Sequence, residues 1–219
     1  MDLDGDGQRD VLSGSWPGEV YWFRGKKGAG FAAAETLKRH GTNLNVGRAS
    51  AVAATDWDAD GDIDLLIGTI DGLVTLLDNQ GTKTKYVFSK SERLKAGSTQ
   101  LKAAGGDAGP CAADWDGDGK LDLVLGSGEG SVTWCRNAGA GKLEAPQTLI
   151  AVASRAKLKD SFDKPAGIGT RTKVCVADWN GDGRQDLIVG DFHSGGSRKY
   201  HGWVWVYLRN ATTATAVTK

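Results

Sequence analysis

No apolar run in this chain approaches the roughly 18 residues that a membrane span needs, and the 3.6-residue periodicity of amphipathic helices is hard to find. Cysteine is scarce, with three in 219 residues. That is too few for a disulfide framework, and none has the Cys-x-x-Cys spacing of zinc or redox chemistry. Net charge is absent, because 27 Lys and Arg balance 27 Asp and Glu. The basic residues are scattered and form no recognised nucleic-acid motif, so nucleic acid is not an expected partner. Met1 leads directly into an acidic stretch with no signal-peptide pattern. The chain is therefore expected to be soluble, and to be a mature or truncated piece.

What is abundant is glycine, 32 residues, with 8 Trp. Short apolar runs bounded by Gly, Asn and Asp read as all-β. Four stretches stand out: "DLDGDGQRD" from Asp2, "DWDADGDID" from Asp56, "DWDGDGKLD" from Asp114 and "DWNGDGRQD" from Asp178. Carboxylates this close repel one another, so a chain keeps them only in open water or around a cation. Solvated turns have no reason to keep one spacing four times. The starts lie 54, 58 and 64 residues apart, which marks one repeating supersecondary unit. Each unit has a small apolar run, the acidic loop, a buried run ("DVLSG", "DLLIG", "DLVLG", "DLIVG"), an aromatic-rich alternating run and a weaker fourth run. Four strands per unit is the blade of a β-propeller, with blades at about 1–40, 46–97, 107–152 and 171–219.

An EF-hand needs flanking helices and a Glu at loop position 12. Here position 12 is Ser13, Ile67, Leu125 or Val189, which excludes it. The loop instead closes at position 9. Candidate ligands at positions 1, 3, 5 and 9 are Asp2, Asp4, Asp6 and Asp10 in the first loop; Asp56, Asp58, Asp60 and Asp64 in the second; Asp114, Asp116, Asp118 and Asp122 in the third; and Asp178, Asn180, Asp182 and Asp186 in the fourth. The backbone carbonyl of position 7 (Gln8, Asp62, Lys120, Arg184) adds another oxygen, and the extra carboxylate of Asp62 is expected to point outward. Hard oxygen donors without His or Cys favour Ca2+, up to four ions. Asn180 removes one formal charge, so the fourth site should be the weakest. Fifteen of the 27 acidic residues sit at these positions, so four bound ions would leave a surface charge of about +8.

The pattern D-h-D-x-D-G-x-x-D followed by "DLLxG" resembles the FG-GAP-like (VCBS) repeats of integrin α-subunit propellers and many bacterial extracellular proteins. The resemblance covers nearly the whole chain. It implies a propeller with calcium in the hairpin loop between the first and second strands of each blade. It implies no reaction, because that family mixes adhesion modules, lectins and accessory domains of enzymes.

Several expectations follow. Leu3, Trp57, Trp115 and Trp179 at loop position 2 should plug the core beneath each ion site, and Cys111, Cys135 and Cys175 should be small buried hydrophobes. The first acidic loop has no inner strand before it, and the tail "ATTATAVTK" fits only as the outer strand of blade four. The chain is thus expected to be a segment of a longer propeller or to be completed by another chain through self-association, a closed four-bladed ring being the alternative. Loops longer than the repeat requires fall on the face opposite the acidic loops. That face carries Trp16, on a loop of ordinary length, and His193, Arg198, Tyr200 and His201 on the long loop of blade four, an aromatic and cationic set suited to a glycan or protein ligand. The leading expectation is a calcium-binding extracellular, periplasmic or cell-surface interaction module that is not an enzyme. The alternative is a calcium-dependent carbohydrate-active enzyme, such as a polysaccharide lyase, or its accessory domain, using His193, His201 and Tyr200 as acid and base. No carboxylate pair or nucleophile constellation supports that alternative.

Overall fold

The computed structural model describes residues 1–152, 167–195 and 199–210. Among these no helix occurs, and four antiparallel sheets ring an axis in the manner of a four-bladed propeller. Blade one contains β1 (Val11–Gly14), β2 (Val20–Phe23) and β3 (Glu35–Thr36), and a short hairpin of β4 (Lys38–Arg39) and β5 (Thr42–Asn43) leads onward. Blade two is complete, in the order β6 (Ala51–Thr55), β7 (Asp64–Gly68), β8 (Val74–Asp78) and β9 (Lys90–Arg93), followed by the equivalent hairpin β10 (Lys95–Ala96) and β11 (Thr99–Gln100). Blade three repeats the order with β12 (Gly109–Ala113), β13 (Asp122–Gly126), β14 (Val132–Cys135) and β15 (Gln147–Ile150). In blade four, β16 (Thr170–Ala177) pairs β17 (Asp186–Gly195), which pairs β19 (Val204–Tyr207) and extends past the sheet to pair β18 (Lys199–His201). Blade one lacks an inner strand among the described residues, as its sequence implies. Residues 211–219, read as the outer strand of blade four, lie outside them.

Each blade is buried by its successor. The strands "DLLIG" and "DLVLG" are buried throughout because both faces of the sheet are covered. The first described strands of successive blades touch, β1 with β6, β6 with β12, and β12 with β16, while no comparable contact joins β16 to β1 among the described residues. The glycine that ends each second strand exists because of this packing. A Cβ on Gly14, Gly68 or Gly126 would lie 2.0, 2.2 or 2.3 Å from the carbonyl oxygen of Ser50, Ala108 or Thr172, each on the backbone leading into the next blade. Gly190 of blade four has nothing nearer than 4.0 Å.

Blade four therefore departs from the expected burial. Val20, Val74 and Val132 are fully buried, whereas Val204 at the same register position is 73% exposed. Trp179, expected to plug the core like Leu3 and Trp57, is 61% exposed. Cys175, expected to be buried, is exposed, while Cys135 is buried and Cys111 half-buried. The reason is common to all three. Loop position 2 packs on the next blade, as Leu3 does beside Leu65 and Trp57 beside Leu123, and no described blade follows the fourth.

These neighbours set the cost of a methyl group. Gly68→Ala and Gly126→Ala should each lose about 1–3 kcal/mol in urea unfolding, from overpacking against a backbone carbonyl. Gly190→Ala should stay within about 0.5 kcal/mol. Equal losses at the three positions would contradict the packing account.

Candidate metal centres

Each acidic loop is closed by its ninth residue. Asp10, Asp64, Asp122 and Asp186 are buried, and each spends both carboxylate oxygens on backbone N–H groups. One oxygen accepts from position 2 of its own loop: Leu3, Trp57, Trp115 or Trp179, at 2.9, 2.9, 3.2 and 3.0 Å. The other accepts from the end of the third strand: Gly25, Asn79, Asn137 or Arg209, at 2.8, 2.8, 2.7 and 2.8 Å. The motif's last Asp is thus a tie between loop and blade as well as a candidate ligand, a role that spacing alone does not reveal.

The first residue organises the turn. Asp114 accepts from the N–H groups of Gly117, Asp118 and Gly119 at 2.9, 3.0 and 3.0 Å. Asp178 does the same with Gly181, Asp182 and Gly183, and Asp2 with Asp6 and Gly7. Carboxylate oxygens of Asp2, Asp4 and Asp6, of Asp56, Asp58 and Asp64, and of Asp114, Asp116 and Asp122 come within 4.8 Å of one another in their respective loops. In the fourth loop Asn180 turns its amide to donate to Asp182 at 2.9 Å.

Loop two is built differently. Ala59 holds a φ of +64° where the other loops have Gly5, Gly117 and Gly181. Asp62 does not point outward as expected but is buried, 6% exposed. Its side chain is too short to leave the loop, unlike Lys120 and Arg184 at the same position, which reach Asp118 and the Arg209 carbonyl. One oxygen of Asp62 and one of Asp56 are buried without a hydrogen-bond partner. Burial, reinforced by Asp60, Asp64, Asp58 and Asp56, pushes the Asp62 carboxyl up to about 6. Two orphaned buried acceptors among converging carboxylates fit a hard divalent cation.

Elsewhere cationic side chains take up part of the charge. Arg136 reaches Asp116 at 2.5 Å and Asp118 at 2.6 Å, and Lys120 reaches Asp118 at 2.6 Å. The Lys120 hydrogen bond holds the Asp118 carboxyl below its ordinary value. Arg184 pairs with Asp182, whose carboxyl is lowered first by the Asn180 amide. In loop one, burial and then Asp6 raise Asp4, with Arg24 at 4.0 Å.

On the opposite face the candidate residues separate. Trp16 is exposed with Arg48 5.2 Å from its ring. Tyr200 is exposed and stacks on Phe192 at 5.6 Å, with Arg171 5.7 Å from the Phe192 ring. His193 is buried, 3.0 Å from Asp191 and stacked on His201 at 5.1 Å. Arg198 lies outside the described residues. The sequence reading passed over Asp191, which ties this extended hairpin to blade four. Its buried carboxylate also accepts from the Gly169 and Trp203 N–H groups and the Trp205 indole, at 2.7, 2.8 and 2.7 Å. Burial alone would raise this carboxyl, but those bonds bring it below the ordinary range. Nothing marks it in sequence, since it stands outside the repeat.

Compared with known proteins, the chain matches the family model described as the FG-GAP-like repeat at residues 2–67, 56–125 and 114–189. No curated protein matches it in sequence. Among solved structures it is similar, at 20% identity and a TM-score of 0.46, to an Agrocybe aegerita lectin described as recognising non-reducing terminal N-acetylglucosamine. That match covers 94% of this chain and 50% of the lectin chain.

The orphaned carboxylate gives loop two a sign that can be tested. A carboxyl whose folded value is raised from 3.8 to about 6 destabilises the fold while ionised, above pH 6, and is relieved as pH falls through 6. Asp62→Asn should therefore raise the melting midpoint of chelator-stripped protein at pH 7.5 by about 2–4 °C, the shift per kcal/mol for a chain of this size. The same change should reduce the further rise that calcium produces. A lower midpoint without calcium would mean that the carboxylate has a partner.

Proposed function

Because the chain belongs to the FG-GAP-like repeat family, we propose that it is a calcium-stabilised β-propeller module that binds a glycan or a protein and catalyses no reaction. The observation that carries the calcium reading is loop two, where Asp56 and Asp62 keep buried, unpartnered oxygens beside Asp58 and Asp64. Positions 1, 3, 5 and 9 and the position-7 carbonyl of each loop would hold the ion, with the Asp62 carboxylate as an additional donor. Bound calcium would supply charge neutralisation and a rigid loop, and no step of a reaction depends on it.

The binding reading rests on the opposite face. Trp16 is an exposed aromatic with Arg48 beside its ring, and Tyr200 is an exposed aromatic of β18 stacked on Phe192, whose ring has Arg171 nearby. Flat rings flanked by cations suit a sugar face or a protein patch carrying carboxylates. The lyase alternative gains no support, since His193 is buried against Asp191 and His201 rather than presented to a substrate. Millimolar calcium is an extracellular condition, so the module is placed outside the cytoplasm, in the periplasm, at the cell surface or beyond it.

Binding confined to the folded state stabilises by RT ln(1 + [L]/Kd), about 1.4 kcal/mol per site at ten times Kd. Melting in millimolar calcium should therefore exceed melting in EDTA by several degrees, and anionic polysaccharides should yield no unsaturated-product absorbance. Equal midpoints would remove the calcium reading, and a rising absorbance would make the protein an enzyme.

A further inference from the structure

Along the junction of blades one and two runs a cleft of about 560 Å³, from the first acidic loop to the β4–β5 hairpin, within the ~300–1,000 Å³ usual for small-ligand sites. Its apolar wall is aromatic. Trp22 meets Tyr86 edge-on at 5.7 Å, and Tyr86 stacks on Phe88 at 5.1 Å. The charged groups of its lining are mostly cationic, with Arg24, Lys38 and Lys85 set against the single carboxylate of Asp4. Arg24 lies 4.2 Å from the Trp22 ring centre and is shared with Asp4 and Glu35 at 4.0 and 3.5 Å. Lys38 and Lys85 are exposed and make no ion pair among the described residues.

A second observation concerns Trp22 itself. Its ring is buried and lines the cleft, yet its indole N–H has no acceptor. A buried donor without a partner costs about 1–3 kcal/mol. The tryptophan at the same register position of blade three, Trp134, donates to Asp122 at 2.9 Å, and blade two has Leu76 there. The matching cleft between blades two and three is lined by groups such as Glu92, Lys95, Lys142 and Leu143, with no aromatic side chain. The aromatic, cationic cleft with an unused donor is thus particular to the first junction.

We propose that this cleft binds a hexuronate unit of an acidic glycan. The C–H face of the sugar lies against Tyr86, the half-buried ring of the aromatic wall, its carboxylate faces Lys38 and Lys85, and movement of Arg24 off the Trp22 ring opens the buried indole N–H to one of its oxygens. A rigid ring carrying its charge at the edge matches a flat wall with cations at the margin. An acidic peptide, with carboxylates on flexible stems, uses the cations but leaves the wall and the indole unmatched. The inference rests on the glycan reading above and adds a binding surface separate from the Trp16 and Tyr200 face.

Calorimetric titration of the full chain in calcium with oligogalacturonate tests it, beside a neutral chito-oligosaccharide and polyglutamate. The protein should bind oligogalacturonate saturably and more weakly as salt rises. The double variant Lys38→Glu, Lys85→Glu, confined to exposed positions, should bind at least about tenfold more weakly, with its melting midpoint kept. Trp22→Phe, which keeps a ring without the donor, should bind about fivefold more weakly. Oligogalacturonate binding that is absent, or equal in the double variant, overturns the cleft. Neutral-sugar binding that the double variant leaves intact does so too, while preserving the interaction module. Polyglutamate binding with the same dependence on the lysines overturns the sugar assignment in favour of a peptide. No binding of any sugar here or on a glycan array removes the glycan reading as well.

Discussion

The carboxylate at the ninth position of each acidic loop is the interaction on which the blades depend. Asp10, Asp64, Asp122 and Asp186 each gather one N–H from the start of the loop and one from the end of the third strand. These donors would otherwise be buried and unpaired where a polar loop meets an apolar sheet. A charged acceptor makes each bond worth more than a neutral one, and two bonds to one carboxylate hold the loop at a fixed distance from the sheet. With the loop held and its turn organised by position 1, carboxylates converge, those of positions 1, 3 and 5 in loop one and of positions 1, 3 and 9 in loops two and three. The acidic motif therefore has two parts, an inner anchor that belongs to the fold and an outer set of oxygens that the proposed function assigns to an ion.

Neighbouring blades supply the second constraint. Gly14, Gly68 and Gly126 admit the backbone of the next blade to within what would be a methyl's clash distance, and Val20, Val74 and Val132 are covered by that blade. Where no described blade follows, the same sequence pattern yields exposed side chains, as at Trp179 and Val204. Burial in this architecture is thus a property of the junction between repeats, not of the repeat.

That distinction explains what was legible in sequence. The four acidic loops, the order of strands in blades two and three, and the three-stranded first blade all follow from local pattern, because strand alternation and loop chemistry are encoded within one repeat. Leu3 and Trp57 follow the same local logic into the core, whereas Trp179 departs from it for want of a neighbour. Asp62 was misplaced because spacing says nothing about whether a short side chain clears its own loop. The Asp191 network and the cleft of Trp22, Tyr86 and Arg24 had no signal, since they join residues from different segments that no repeat predicts.

The division of labour within the acidic motif can be measured directly. Asp122 accepts from the Trp115 and Asn137 N–H groups and from the Trp134 indole, and Asp122→Asn would turn one acceptor into a donor facing a donor. Urea unfolding of this variant should show a loss of about 2–4 kcal/mol in EDTA as well as in calcium, since the broken bonds belong to the fold. A variant as stable as the parent in EDTA, and weakened only when calcium is present, would show that the ninth carboxylate serves the ion alone and would contradict the account.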